Sequence, residues 1–567
     1  MARREGDKWH TKDTPGPRPY RNLTQTDSTR NNEVPSLSED IDDDKMTQTR
    51  FNEIIRFIEK PYGADYVNLI AHYERLWHCW HDLYVVFDPD CRLNMGRAKW
   101  AIQLANNCFP SYLALMERRL TYAHYIKCPT DCMIEAMKCC VLIFTKISKY
   151  LDPDYLEHGL DQEFLQKFDV HFQNLVGTLI DNILKCSSVL GSAMIDVLAA
   201  IGSHLYLRLP EEVEKRIVPF LMSVTNADPK HVSSQVKARV GRCFGKYIEF
   251  PWFRADFPFM VGIFELCERF LLQSENVMKI SYAWVFANWT DVIVNDFPST
   301  DENLYNNDIN IRILSTLILY TNLPVKAKYN IGRAAGNIFA WMDMQLLEIE
   351  VVRNAIRKLT ENLVAMIGTG QDYKLRWNCA YALGNILGNR IFFHYLEADV
   401  VDPIIKTLSK WMVNSQNFKE RAQCVTSLRK VVDKDIYGDR YALVWNRLCL
   451  SLAVLPVETC EGIQKFKSEC ILLFFHLTNM LETKDFPSIN DAVTGNMQHL
   501  RSLVDDFAGA ILMEDFDAVI TANEYIKDIE NQLAQLPYET TASALADIVQ
   551  LAVYRHRGTR RDSASST

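Results

Sequence analysis

The amino-acid sequence predicts an all-α protein built as a right-handed α-solenoid, and two patterns lead to that prediction. Away from the chain ends, apolar residues recur at i, i+3, i+4 and i+7, and no long stretch alternates with the two-residue period of a strand. One helical pattern also occurs five times between residues 237 and 431. Units that repeat in this way pack on their neighbours and bury one continuous core, so 567 residues can form a single body.

The repeated pattern starts with a basic residue, places a small, a large and a small residue six to eight positions later, and has a polar residue at position nine. The clearest copy runs from Arg376 to Ile386. The copies start 42, 49, 48 and 45 residues apart, at Lys237, Lys279, Lys328, Arg376 and Arg421. A period in the forties with two helices per unit is typical of HEAT and armadillo arrays.

The two chain ends differ from the middle in composition. The first residues are rich in Pro, Thr, Asn, Asp and Arg, contain the acidic run Ser38–Asp44, and lack the apolar residues that would offset the entropy of ordering. We therefore expect four segments: a disordered tail at 1–48, a HEAT/armadillo-like repeat array at 49–480 that is clearest at 220–440, a helical cap at 481–553, and a basic, serine-rich disordered tail at 554–567.

Each unit is expected to be an antiparallel pair of helices, of which the second carries the pattern. Small residues such as Ala382 and Gly384 allow neighbouring helix axes to approach to about 8–10 Å. Prolines such as Pro324 and Pro403 fall between candidate helices or in their first turns, where proline is tolerated. An upstream echo of the pattern starts at Arg97, so the array is extended towards residue 50.

A basic residue opens the second helix in all five copies, at a position where the helix dipole disfavours a cation. One interpretation is a ladder that joins successive units through acidic partners such as Asp372. The other is a basic stripe that meets acidic ligands. The stripe consists of Lys237, Lys279, Lys328, Arg376 and Arg421, and we expect its main role to be structural.

Position nine, with the position one turn before it, defines a candidate partner-binding row. Stacked units would place its asparagines about 10 Å apart, close to three residues of an extended peptide. An amide both donates and accepts hydrogen bonds, so it can bracket one peptide unit. The row comprises Asn288, Asn337, Asn385, Trp284, Arg333, Tyr381, Lys246 and Lys430. The alternative is a structural row whose amides bond to neighbouring helices.

The segment Asp372–Ile386 resembles the second helix of a HEAT repeat, in which an acid, a basic residue and an Ala-Leu-Gly step recur. Lys374–Asn385, supported by Lys328–Ile338, is similar to the C-terminal region of the HEAT repeat-containing protein 6 family, and this similarity covers about 220–480. The resemblance implies a non-enzymatic HEAT array. One unit also resembles the Trp-x-x-x-Asn arrangement by which armadillo importins grip extended peptides, through Trp284 and Asn288.

Composition and motifs narrow the function further. The net charge of −9 argues against a general nucleic-acid binder, and the apolar runs are too short to span a membrane. Cysteines such as Cys139 and Cys379 fall within apolar helical runs, which indicates a reducing compartment, the cytosol or the nucleus. No phosphate-binding glycine loop, dinucleotide fingerprint or zinc-ligand spacing occurs, so we expect no cofactor, metal or catalytic residue.

The leading hypothesis is a non-enzymatic scaffold or adaptor that binds protein partners on the solenoid surface. A first alternative is an importin-like receptor that captures extended peptide segments through the asparagine row. A second is a regulatory subunit of an enzyme complex. Nucleic-acid binding through the basic stripe is a further alternative, which strong salt dependence would identify.

Overall fold

The computed structural model describes residues 109–117, 120, 130–152, 160, 162–296, 307–318, 323–369, 372–396, 398–456, 460–508, 516–534 and 536–564. Within these ranges the chain forms α-helices and short 3-10 turns, and no strand occurs. The fold class is all-α, as the sequence predicts. The expected tail at 1–48 and the start of the array lie outside the described residues.

The longer helices follow one another in this order: α1 (Thr130–Tyr150), α2 (Gln162–Asn182), α3 (Ser188–Ala199), α4 (Glu211–Asn226), α5 (Ser234–Tyr247), α6 (Phe257–Gln273), α7 (Asn276–Asp296), α8 (Asn307–Ile318), α9 (Val325–Trp341), α10 (Glu350–Thr369), α11 (Tyr373–Gly388), α12 (Ala398–Asn414), α13 (Phe418–Arg429), α14 (Tyr441–Ala453), α15 (Glu461–Thr478), α16 (Phe486–Gly495), α17 (Met497–Ala508), α18 (Phe516–Leu533) and α19 (Glu539–Ala564). Short helical turns connect several of them.

The odd-numbered helices from α1 to α15 form one layer, in which each helix packs on the next odd-numbered helix. We call it the repeat layer, because α5, α7, α9, α11 and α13 carry the repeated pattern. The even-numbered helices α2 to α14 form a flanking layer, and each packs on the repeat-layer helix that follows it. The chain is therefore an α-solenoid of helix pairs, and the sense of its superhelix stays a prediction.

The small residues of the pattern lie where successive repeat-layer helices meet. A Cβ atom added at Gly384 would lie 2.8 Å from the backbone Cα of Ser427, and one added at Gly336 would lie 2.5 Å from the ring of Tyr381. Larger residues between them fill the contact, and Leu383 is fully buried. Glycine is thus required here by the approach of two backbones, which is the role that the sequence predicts for these positions.

Side-chain caps fix the starts of several repeat-layer helices. Asp372 accepts hydrogen bonds from the backbone N–H groups of Lys374 (2.8 Å) and Leu375 (3.4 Å) at the start of α11. Asn417 caps α13 in the same way. Because the Asp372 carboxylate serves its own helix, it is not the acidic partner that the sequence suggested for the basic residues.

The C-terminal part of the chain is helical. The expected end of the array near residue 480 falls in the connection between α15 and α16. The last helix, α19, continues to Ala564. The division of the chain into array, cap and tail stays a prediction.

Replacing Gly384 with alanine is expected to destabilise the protein by about 1–3 kcal/mol, because the backbone of α13 must move to admit the methyl group. The measurement is the urea dependence of helical circular dichroism. Gly177 in α2 is the matched control, since no atom lies within 4 Å of a Cβ added there. Gly177→Ala should stabilise by about 0.5–1 kcal/mol. Equal shifts of both variants would contradict a close approach at Gly384.

His476 in α15 should make stability depend on pH. Its burial, and then the neighbouring charge of Arg429, lower the pKa of its imidazole to about 4. An unfolded histidine has a pKa of about 6.5. Between these values the unfolded chain binds a proton that the folded chain does not. The free energy of unfolding should therefore fall as pH drops from about 6.5 to 4, by up to about 3 kcal/mol.

The contribution of His476 is isolated by comparison with His476→Phe, which cannot titrate. The difference in unfolding free energy between the two proteins should change between pH 7 and pH 4. A difference that stays constant over this range would show that His476 does not cause the effect.

Candidate binding surface of the repeat helices

The three asparagines at position nine lie inside the repeat layer. Asn288, Asn337 and Asn385 are only 7%, 3% and 6% exposed. Each side-chain Nδ2 donates to a main-chain carbonyl of the preceding repeat-layer helix, namely that of Gly245 (2.9 Å), Ala287 (3.3 Å) and Gly336 (2.7 Å), respectively. The amide nitrogens therefore bond within the protein.

The amide oxygens are bonded on the opposite side. Tyr381 donates its hydroxyl hydrogen to Oδ1 of Asn337 over 2.9 Å. Arg333 and Lys430 donate in the same way to the other two asparagines, Asn288 and Asn385. Each amide thus links its own helix to the repeat-layer helix before it and to a side chain of the next one. For Asn385 that side chain belongs to Lys430, the C-cap residue of α13. We call this set of bonds the asparagine ladder.

An extended peptide would need the side-chain amide N–H groups and oxygens of the three asparagines, and the asparagine ladder already occupies them. Trp284 and Tyr381 are half-buried, and the ring of Trp284 packs against Gly245. Among the eight residues of the candidate row, only Lys246 is exposed, and its ammonium lies 3.9 Å from the carboxylate of Glu249. This geometry matches the structural alternative. It does not support peptide capture by these amides.

The basic stripe is also largely internal. Lys237 donates to the carbonyl of Ala227, the C-cap residue that follows α4. The Nε of Arg421 donates to the carbonyl of Met412 over 2.8 Å, near the end of α12. Both cations therefore lie at the C-terminal end of the antiparallel helix before them. Free carbonyls and the helix dipole favour positive charge there, which explains why a basic residue opens the following helix.

Arg376 pairs with a carboxylate, as the ladder interpretation of the stripe expects, but its partner is Glu420 and not Asp372. Its Nε and Nη2 donate to the two carboxylate oxygens of Glu420 over 2.7 and 3.0 Å, and Glu420 is completely buried. The guanidinium also lies 4.8 Å from the ring centre of Trp411. Lys279 and Lys328 are half-buried. The charged groups of Lys237, Arg376 and Arg421 are thus bonded within the protein, as the structural interpretation of the stripe predicts.

An aromatic patch lies on the solvent side of the repeat layer. Tyr373 and Trp377, one turn apart on α11, are each 42% exposed. Tyr329 on α9 is half-buried near Tyr373, and its pKa is raised by that burial and then by the negative charge of Asp372. We define Tyr329, Tyr373 and Trp377 as the aromatic patch. Sequence reasoning missed it because these residues lie outside position nine and the turn before it.

Exposed lysines flank the aromatic patch. Lys326, Lys374 and Lys419 lie two residues before the opening basic residue of α9, α11 and α13, and Lys465 lies in the next repeat-layer helix, α15. All four are exposed. We call them the lysine column. Reading each copy of the pattern two residues further upstream would have revealed the first three.

A small cavity lies beside the asparagine ladder. It has a volume of about 190 Å³ and is lined by Glu249, Arg254, Asn288, Asp291 and Val292. Pockets for small molecules usually measure roughly 300–1,000 Å³ and are mainly apolar. This cavity is smaller and lined mostly by charged groups, so we assign no ligand to it.

Metal sites, membrane-spanning helices and reactive thiols are further features to consider in the described part of the chain. No group of three His, Cys, Asp or Glu side chains there is arranged to hold a metal ion, and no helix there is long and apolar enough to cross a membrane. Burial raises the pKa of the Cys139 thiol to about 12 and that of Cys243 well above its usual range. Such thiols are poor nucleophiles near neutral pH.

The chain was compared with known proteins. No family model matches it. An engineered protein of known structure is similar over 89% of this chain and 98% of its own, with 15% identity and a TM-score of 0.44. Yeast importin-beta (Kap95p) is similar over 91% of this chain and 64% of its own, with 11% identity and a TM-score of 0.46. A further importin beta structure gives 90% and 74%, with 9% identity and a TM-score of 0.44.

Replacing Asn337 with alanine should destabilise the protein by about 1–3 kcal/mol, because it leaves the Tyr381 hydroxyl and the Ala287 carbonyl without their buried partner. Asn330→Ala is the control on the same helix, since the Asn330 amide bonds only within α9, to the carbonyl of Lys326. Chemical denaturation of both variants should show a loss at 337 and little change at 330. Similar small changes at both positions would contradict a stabilising ladder.

Proposed function

We propose that this protein is a non-enzymatic scaffold or adaptor whose repeat layer binds a protein partner at the aromatic patch. The observation that carries the proposal is the exposure of Tyr373 and Trp377, side by side, above a closed core. Tryptophan and tyrosine are enriched among the residues that dominate the energy of protein interfaces. A stacked helical array offers the extended surface that such a partner needs.

The aromatic patch is held in place before any partner arrives. The Nε1 of Trp377 donates to Oε1 of Gln423 on the next repeat-layer helix over 2.8 Å. One residue earlier, Arg376 is fixed by Glu420. On the buried side, α11 is fixed by the asparagine ladder through Asn385. A surface that is already ordered loses less entropy when it binds, so these contacts support a docking role.

The two alternative functions would also use the solvent side of the repeat layer. A peptide bound by the asparagine row, as in an importin-like receptor, would have to break the asparagine ladder, so we place any bound peptide on the face that contains the aromatic patch. Regulation of a catalytic partner would use the same face, and co-purification of a stoichiometric enzyme activity would favour it. Kinship with the HEAT repeat-containing protein 6 family, and a cytosolic or nuclear location, remain proposals that rest on the sequence and on the burial of most of the described cysteines.

The proposal is tested with the double variant Tyr373→Ser, Trp377→Ser. Proteins captured by the full-length chain from cells should be lost or strongly reduced, because the variant removes the exposed rings. The control is Val170→Ser, Val351→Ser, which changes exposed apolar residues of the flanking layer, 55% and 61% exposed. Thermal unfolding first establishes that both variants are folded.

A photo-reactive amino acid at position 373 then locates the contact. It should crosslink the captured protein, whereas the same group at position 351 should not. Capture that survives the double aromatic change, or crosslinking of the partner from position 351 alone, would overturn the proposed docking face.

A further inference from the structure

We propose that the lysine column recognises an acidic, extended segment of a partner protein that runs across successive repeat-layer helices. This inference rests on the proposed function and adds the chemistry of the partner. It is carried by three observations: the alignment of the four lysines, the absence of ion pairs between them and the described residues, and the aromatic patch beside them.

Contacts between units bring the lysines into line. Arg376 on α11 pairs with Glu420 on α13, and the ring of Phe418 on α13 lies 5.9 Å from that of Phe466 on α15. These contacts join residues that lie one or two positions from the lysines at 374, 419 and 465. Since packed helix axes lie about 8–10 Å apart, neighbouring lysines of the column are about 10 Å apart at their helices.

The lysines of the column form no ion pair with a described residue, unlike many lysines of the flanking layer. On α2, α4, α10 and α12 of that layer, lysines pair with a carboxylate three or four residues away: Lys167 with Glu163, Lys215 with Glu211, Lys358 with Glu361, and Lys406 with Asp402. By contrast, the carboxylates closest to Lys374 and Lys419 in sequence, Asp372 and Glu420, are occupied by the helix cap and by Arg376.

The position of the column within its helices strengthens the inference. Lys326, Lys374 and Lys419 are each the second residue of their helix. The helix dipole disfavours positive charge in the first turn. Lysines repeated there without a carboxylate partner are stabilised when an external carboxylate approaches.

The spacing defines what the partner must present. An extended chain advances about 3.3 Å per residue, so steps of about 10 Å correspond to every third residue. A segment with acidic residues at positions 1, 4, 7 and 10 would place one carboxylate opposite each lysine. The exposed rings of Tyr373 and Trp377 flank Lys374 and can contact the apolar residues between the acids.

The charge of the whole molecule favours a protein segment over nucleic acid. The net charge is −9 and the isoelectric point is about 5.9. Glu461 lies one turn before Lys465 on α15 and reduces the positive potential at that end of the column. Nucleic-acid binders normally carry a basic face backed by a basic domain.

The test measures binding of two synthetic twelve-residue peptides to the full-length protein by fluorescence anisotropy at low ionic strength. One peptide has glutamates at positions 1, 4, 7 and 10, with a leucine at position 6. The other has the same composition with the four glutamates adjacent. The spaced peptide should bind more tightly, and added salt should weaken its binding because exposed charges are screened.

The decisive variant reverses the charge of all four residues of the lysine column: Lys326→Glu, Lys374→Glu, Lys419→Glu, Lys465→Glu. Its matched control has the same Lys→Glu change at four exposed lysines of the flanking layer, Lys167, Lys215, Lys358 and Lys406. The two variants therefore have the same net charge. Circular dichroism first establishes that both variants are folded. The column variant should lose roughly tenfold or more in affinity for the spaced peptide, while the control changes little; four weak exposed pairs together account for a loss of this size.

Three outcomes would overturn the inference: equal losses in both variants, no loss in the column variant, or tighter binding of single-stranded RNA than of the spaced peptide. The proposed scaffold function is judged separately. If a captured cellular partner is lost from the aromatic variant but kept by the column variant, the docking face stands and the acidic-segment inference fails.

Discussion

The structure depends on the register between successive repeat-layer helices, and buried amides set that register. Asn288, Asn337 and Asn385 each have a donor and an acceptor aimed in opposite directions along the stack. An unbonded amide in this interior would cost about 1–3 kcal/mol, so a slip by one residue is strongly disfavoured. Apolar packing holds the helices together, and the amides decide which residues face each other.

Because the register is fixed, equivalent positions of successive repeat-layer helices lie at regular intervals on the solvent side of the array. Once equivalent positions lie side by side, residues two places before each opening cation form a line, and so do the ends of the helices. On α13 the opening cation Arg421 lies inside, against a carbonyl near the end of α12, and Lys237 on α5 makes the same kind of contact. Lys419, two residues before Arg421, is exposed, so two positive charges of one helix have opposite environments.

The repeat period and the small residues were sufficient to predict an α-solenoid and the glycine contacts at Gly336 and Gly384. Sequence spacing also located the asparagine row, but it could not tell whether amides face solvent or a neighbouring helix. Which side the amides face depends on how each helix is rotated about its own axis, and a fraction of a turn is enough to change it. Likewise, Glu420 was not recognised as the partner of Arg376, because the pair joins two units 44 residues apart.

The asparagine ladder also limits where this chain can tolerate changes in length. One residue inserted in a repeat-layer helix before position nine would turn the later side chains of that helix by about 100°, so its amide would lose both partners at once. The units nevertheless differ in length, with starts 42 to 49 residues apart, while the distance from opening cation to position nine stays constant. Length variation is therefore confined to the flanking helices and connections, which can take up insertions and deletions without disturbing the alignment of the stack.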